Sequence, residues 1–229
     1  MGKKLRLKHL VVGVGIVAFV AAGGTYLTLR PDPIPTGTST TTALSTVPSS
    51  TWTAVWPSTT SAVRFKSPTA ATRDFCKTFL QMKSLLVGKY QSGDGRSGEV
   101  PVQTTPNGPI TTVMVRQLTS DESWWVLGAA TADIVIQSPQ ALSLINSPLH
   151  VSGSSTAFEA VLNGTLREDR GGKVLAAFTT LGGANGTMGP FSRTVMFPAP
   201  NSHYGSLVLT TRSAKDGSIS SASVLRLTF

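Results

Sequence analysis

Glu159 is the residue whose surroundings raise the sharpest chemical question. It sits between Phe158 and Ala160, in a stretch whose apolar residues alternate as in a β-strand. A lone carboxylate there has three uses: proton transfer, ligand contact or ion pairing. Glycoside hydrolysis needs two carboxylates across a cleft, and the sequence sets no second one beside it. Alternation puts Phe158, Ala160, Leu162 and Leu166 on a core face and turns Glu159 outward. Arg226, between Leu225 and Leu227, turns outward by the same logic and is the expected cross-strand partner. An exposed pair of this kind contributes less than about 1 kcal/mol. It also penalises register slip, which would drive Glu159 into the core. Ligand contact by Glu159 stays open.

Other reactive side chains are sparse. His150 and His203 lie near turns, and no Gly-x-Ser-x-Gly nucleophile motif accompanies them. Cys76 is the single cysteine, so neither an internal disulfide nor a cysteine-based zinc site is available. It falls on an apolar helix face, as a small buried hydrophobe would. The turn Gly93-Asp-Gly-Arg-Ser-Gly98 has too few oxygen ligands for calcium. No enzyme activity and no cofactor is expected. Trp124 and Trp125 are adjacent on a strand and must face opposite ways. One should pack on a helix. The other is either a second core contact or an exposed binding aromatic. Together with Glu159 and Arg226 they form the candidate interaction set.

The elements that carry these residues follow from composition. The net charge of +9 is concentrated at the start of the chain, where Lys3, Lys4, Arg6, Lys8 and Arg30 have no acid among them. From residue 31 the balance is 15 basic to 11 acidic residues. No basic stripe interleaved with aromatics exists, and nucleic acid is not an expected partner. Leu10 to Leu29 is uncharged. Twenty helical residues span about 30 Å, the thickness of a bilayer core. The basic tip before it predicts a cytoplasmic N-terminus, with everything after residue 30 outside the cytoplasm. Cleavage as a signal peptide near Val20-Ala21-Ala22 is the alternative. The loose dinucleotide fingerprint Gly13-Val-Gly15-Ile-Val-Ala18 lies inside this apolar run, without the strand and amphipathic helix it requires.

Residues 31–68 are dominated by Ser and Thr, with Pro48 and Pro57, and read as a disordered stalk. Trp52 and Trp56 are unusual in such a segment and point to contact with the membrane surface or the first domain. Residues 69–133 predict a small α+β domain. Ser67-Pro68 begins an amphipathic helix of about five turns that ends near Gly88. Strands are expected over 99–104, 110–118, 123–130 and on toward 133–137, with a hairpin at Asn107-Gly108. Residues 134–229 carry strand after strand between turn signals such as Asp169-Arg-Gly-Gly and Lys215-Asp-Gly-Ser. This is the pattern of an immunoglobulin-like β-sandwich.

The combination Ser147-Pro148, Val151-Ser152-Gly153, Phe158-Glu159-Ala160, Gly189-Pro190-Phe191 and Asp216-Gly217 resembles the immunoglobulin-like domain of bacterial spore germination proteins. The segment with Ser97-Gly98-Glu99-Val100 and Trp124-Trp125-Val126-Leu127-Gly128 is similar to one that precedes this domain in secreted or membrane-anchored proteins of high-GC Gram-positive bacteria. The resemblance implies an extracytoplasmic, non-enzymatic module linked to spore envelopes or germination, and it supplies no catalytic residues. The expected function is a single-pass membrane protein whose immunoglobulin-like domain binds a cell-wall component or an envelope protein. A structural or assembly subunit of an envelope complex is the alternative, and a cell-wall hydrolase a weaker one.

Overall fold

The structure is a computed structural model that describes residues 51–229. The expected anchor and the first part of the expected stalk lie outside the described residues. Among the described residues no helix is long and apolar enough to cross a membrane. The described residues belong to one compact unit.

Residues 51–66 correct the expected stalk. They form an ordered strap along strand β5 (Trp124–Thr131). Val55 and Trp56 donate backbone N–H groups to Val126 O, Val126 N–H donates to Trp56 O at 2.7 Å, and Trp124 N–H donates to Phe65 O. Val55 is buried. Burial of Val55, Trp56 and Phe65 against the first core supplies what the Ser/Thr composition around them lacks.

The helix is shorter than its apolar periodicity predicts. Helix α1 covers Pro68–Asp74 and widens into a π-helical turn over Phe75–Phe79. Ser67 caps its start, its side chain accepting from Ala70 N–H, as expected. Gln81 at φ 60° then ends it, and Met82 N–H reaches back to Cys76 O at 2.9 Å. This is the reverse turn that closes many helices. It keeps Met82 in the core, so the apolar pattern continues past the point where the helix stops. Cys76 is fully buried, and desolvation pushes its thiol up to about 12. It should therefore resist a thiol reagent such as Ellman's reagent in the native protein and react only on unfolding. Rapid native labelling would contradict this packing.

The remaining strands are β1 (Leu86–Val87), β2 (Gln91–Asp94), β3 (Ser97–Gln103), β4 (Thr111–Gln117), β6 (Ile134–Ser138), β7 (Leu149–Ala157), β8 (Val161–Glu168), β9 (Val174–Leu181), β10 (Gly183–Ala184), β11 (Gly189–Val195), β12 (Tyr204–Arg212) and β13 (Ile219–Thr228). The main order is β1-β3-β4-β5-β13-β12-β8-β9, with β6-β7-β11 forming a second layer. The architecture is mostly β and consistent with the expected immunoglobulin-like sandwich.

Two cores are present. The first lies under α1 on β3, β4 and β5. The second fills the space between the layers, with Leu162, Leu166, Leu175, Val151 and Phe191 at its centre. Strands β12 and β13 serve both: Val208 and Val224 point into the first, while Leu207, Leu209 and Leu227 point into the second. Residues Gly205 to Thr211 are consequently buried without interruption, as in strands covered on both faces. The second layer contains several of the quoted sequence signatures. Phe191 pairs with Gly153, and a Cβ on Gly153 would stand 2.0 Å from the Val135 carbonyl oxygen and 2.9 Å from the Phe191 ring. Only glycine admits that contact.

Candidate binding groove and the Glu159 corner

The four candidate interaction residues separate in space. Trp124 and Trp125 do face opposite ways, but both are buried. Trp124 meets Tyr90 edge-on at 5.3 Å within the first core. Trp125 lies under the Arg64 guanidinium at 5.0 Å. Neither is an exposed binding aromatic, because the ordered strap covers the side that a free stalk would have left open.

Glu159 and Arg226 do not pair, which corrects the expected cross-strand contact. The strand breaks at Phe158–Ala160, which form a tight turn between β7 and β8. Glu159 and Ala160 both hold positive φ, 55° and 61°. Two consecutive non-glycine residues in the left-handed region cost roughly 1–2 kcal/mol each. The turn throws Phe158 outward to 53% exposure, where a core position was expected. Among the described residues Glu159 has no hydrogen bond or ion pair. Glu159→Gly should therefore raise the unfolding free energy by about 1 kcal/mol, while Glu159→Gln should leave it unchanged. Urea denaturation of the two variants checks this, and a marked loss on Glu159→Gln would restore an ion pair to Glu159.

Arg226 has another partner. It is 2% exposed, and each of its three guanidinium nitrogens donates. Nη1 and Nη2 form a bidentate pair with Asp169 at 2.6 Å, and Nε donates to Trp52 O at 2.6 Å. The guanidinium lies 5.3 Å from the Tyr204 ring, which stacks on Trp52 at 5.4 Å. Trp52 thus touches the last strands of the chain rather than the α+β segment.

Register extends this cluster into a row. Arg167 on β8 opposes Ser206 on β12, which opposes Arg226 on β13, so all three share one face. Arg167 is held differently from Arg226. Its Nη1 donates to Phe79 O at 3.1 Å, its guanidinium lies 5.1 Å over the Phe79 ring, and its Nε is buried without a partner. Among the described residues it forms no ion pair. Burial shifts its proton affinity below the usual arginine range. The neighbouring acids are occupied elsewhere: Glu168, buried, accepts from the backbone N–H and side-chain amide of Asn201, and Asp169 is taken by Arg226.

Between the strap, the end of the π-helical turn and the β8–β9 connection lies a groove of about 320 Å³ that contains Arg167. Trp56 and Phe79 form its aromatic part, 5.9 Å apart and tilted by 51°. The indole of Trp56 is fixed by donating from Nε1 to Asp74 at 2.8 Å. Sequence reading did not find this groove. Its trace there is Trp56, an aromatic in a segment otherwise rich in Ser and Thr. Among the described residues no three His, Cys, Asp or Glu side chains assemble as a metal site would require. No curated protein and no solved structure matches the chain. Residues 133–218 match the family described as the immunoglobulin-like domain of bacterial spore germination.

Proposed function

We propose that this is a non-enzymatic, membrane-anchored extracytoplasmic protein that uses its immunoglobulin-like domain to bind a component of the cell envelope. The observation that carries this reading is the groove beside Arg167, which combines a fixed aromatic wall with a half-buried guanidinium that forms no ion pair among the described residues. Small-molecule sites combine apolar walls with a few placed polar groups in this way. The reading of the chain as non-enzymatic is supported by the state of its acids. Glu168 and Asp169, the two carboxylates that line the groove, are tied to Asn201 and Arg226, leaving neither free for proton transfer. Anchoring is supported by the uncharged run Leu10 to Leu29 behind a basic tip. A link to sporulation or germination is supported by the family of residues 133–218.

The test is co-sedimentation of residues 46–229 with purified cell-wall sacculi. Saturable binding supports the reading, and a folded protein that stays in the supernatant at every concentration removes the wall as the target. A second reading, docking to an envelope protein as an assembly subunit, is favoured by Phe158, exposed on a strained turn at the other end of the domain. Cross-linking from position 158 in intact membranes distinguishes the two.

A further inference from the structure

We propose that the groove between the strap and strand β8 is a binding site for an anionic saccharide unit, a sugar ring bearing one carboxylate or phosphate. The proposal rests on the reading of the chain as an envelope-binding protein and names the chemistry that the site would select.

The charge requirement comes from Arg167. Its neighbour in the row, Arg226, is fully satisfied by Asp169 and the Trp52 carbonyl. Arg167 has only the Phe79 carbonyl and the face of the Phe79 ring. A guanidinium has five N–H groups in a planar fork suited to a carboxylate or phosphate. Here the fork is half-buried, its Nε is shut off from water without a partner, and the two carboxylates that also line the groove, Glu168 and Asp169, are bonded to Asn201 and Arg226 instead, an arrangement that costs stability in the empty protein. A ligand anion placed against it would recover that cost on binding.

The rest of the groove sets the shape of what carries the anion. A hydrocarbon would offer nothing to the hydroxyl groups of Ser58, Thr60 and Ser206 in the lining, of which Ser58 and Thr60 already bond each other at 3.0 Å. A small inorganic anion would leave Trp56 and Phe79 uncovered. A sugar ring satisfies both demands: its C–H face is apolar and fits an aromatic wall, while its rim carries hydroxyls that both donate and accept. The volume of about 320 Å³ is at the lower end of the range for small-molecule sites, about 300–1,000 Å³, and suits one ring rather than a long chain buried whole. The wall is already in place, because Asp74 fixes the Trp56 indole and Val126 fixes its backbone. Binding then has little ordering cost to overcome.

The test uses the full-length protein in detergent micelles and saturation-transfer NMR titrations with four probes: glucuronate, glucose 6-phosphate, glucose and inorganic phosphate. The expected result is that at least one of the two charged sugars binds about tenfold or more tighter than glucose, the difference a charge-assisted hydrogen bond makes. Which charged sugar is preferred separates a carboxylate-bearing from a phosphate-bearing source. Arg167→Met should abolish the preference, and Trp56→Leu should weaken charged and neutral sugars alike. Because Arg167→Met could disturb folding, Arg167→Lys is measured beside it. Lysine keeps the charge but loses the fork, and should retain part of the preference. Equal binding of glucose and both charged sugars overturns the proposal, as does an undiminished preference in a folded Arg167→Met protein. Binding of inorganic phosphate alone also overturns it, since the aromatic wall would then have no part. If the 46–229 fragment sediments with sacculi while the charged sugars fail, this proposal falls and the envelope-binding reading stands. Failure of both removes both.

Discussion

Arg226→Ala is expected to lower the unfolding free energy by about 3–5 kcal/mol, the range seen when one partner of a buried ion pair is removed. Arg226 is almost fully buried, and three elements meet on its guanidinium: the strap through Trp52 O, the end of β8 through Asp169, and β12 through Tyr204. Truncation leaves the Trp52 carbonyl and the Asp169 carboxylate without their donors. The Asp169 side chain is 22% exposed, so water recovers part of its loss and the effect should lie toward the lower limit. Urea denaturation gives the measurement. Replacing both partners by apolar residues, Arg226→Met with Asp169→Leu, should be much milder than the single truncation, because no charge is then left unpaired. A loss below about 1 kcal/mol in Arg226→Ala, in the range of exposed pairs, would show that the cluster is solvated and loosely held.

A chain that begins at Thr69 is expected to be severely destabilised or unfolded, whereas one that begins at Thr46 should fold. The shorter chain corresponds to the domain boundary expected from sequence. It would lack Val55, whose burial is worth roughly 1.5–3 kcal/mol. It would also lack the backbone hydrogen bonds of the strap to Trp124 and Val126, at about 0.5–1.5 kcal/mol each. The Ser67 cap would go too, at about 1 kcal/mol. These losses approach the 5–15 kcal/mol that a domain of this kind has in total. Parallel thermal melts by circular dichroism decide the matter. Midpoints within about 2 °C of each other would mean that the strap rests on the domain without supporting it.

The misplaced Glu159 shows how far local pattern reaches. Alternation from Phe158 to Leu166 correctly placed Leu162 and Leu166 in the core. It failed at Phe158–Ala160, because a corner turned by two left-handed non-glycine residues has no local signature. The helix has a similar history. Phe75, Cys76, Leu80 and Met82 do face the core, and Ser67 does cap the start, but the apolar spacing continues through Gln81, where the backbone reverses. Hydrophobic spacing reports which side chains are buried and is silent on where the backbone stops being helical.

The sequence by itself determined where most of the strands lie along the chain, the immunoglobulin-like character of the C-terminal part and the burial of Cys76. Each depends on short-range apolar spacing or on turn residues. Only the tertiary structure decided that Trp52 to Phe65 pack as a strap, that Arg226 pairs with Asp169 rather than Glu159, and that β12 and β13 are buried on both faces. It also decided that Arg167 is left without an acid beside a groove. These are contacts between residues as much as 174 positions apart, as for Arg226 and Trp52. A polar segment is ordered, or a charge neutralised, by what the rest of the chain brings against it, and no window of local sequence holds that information.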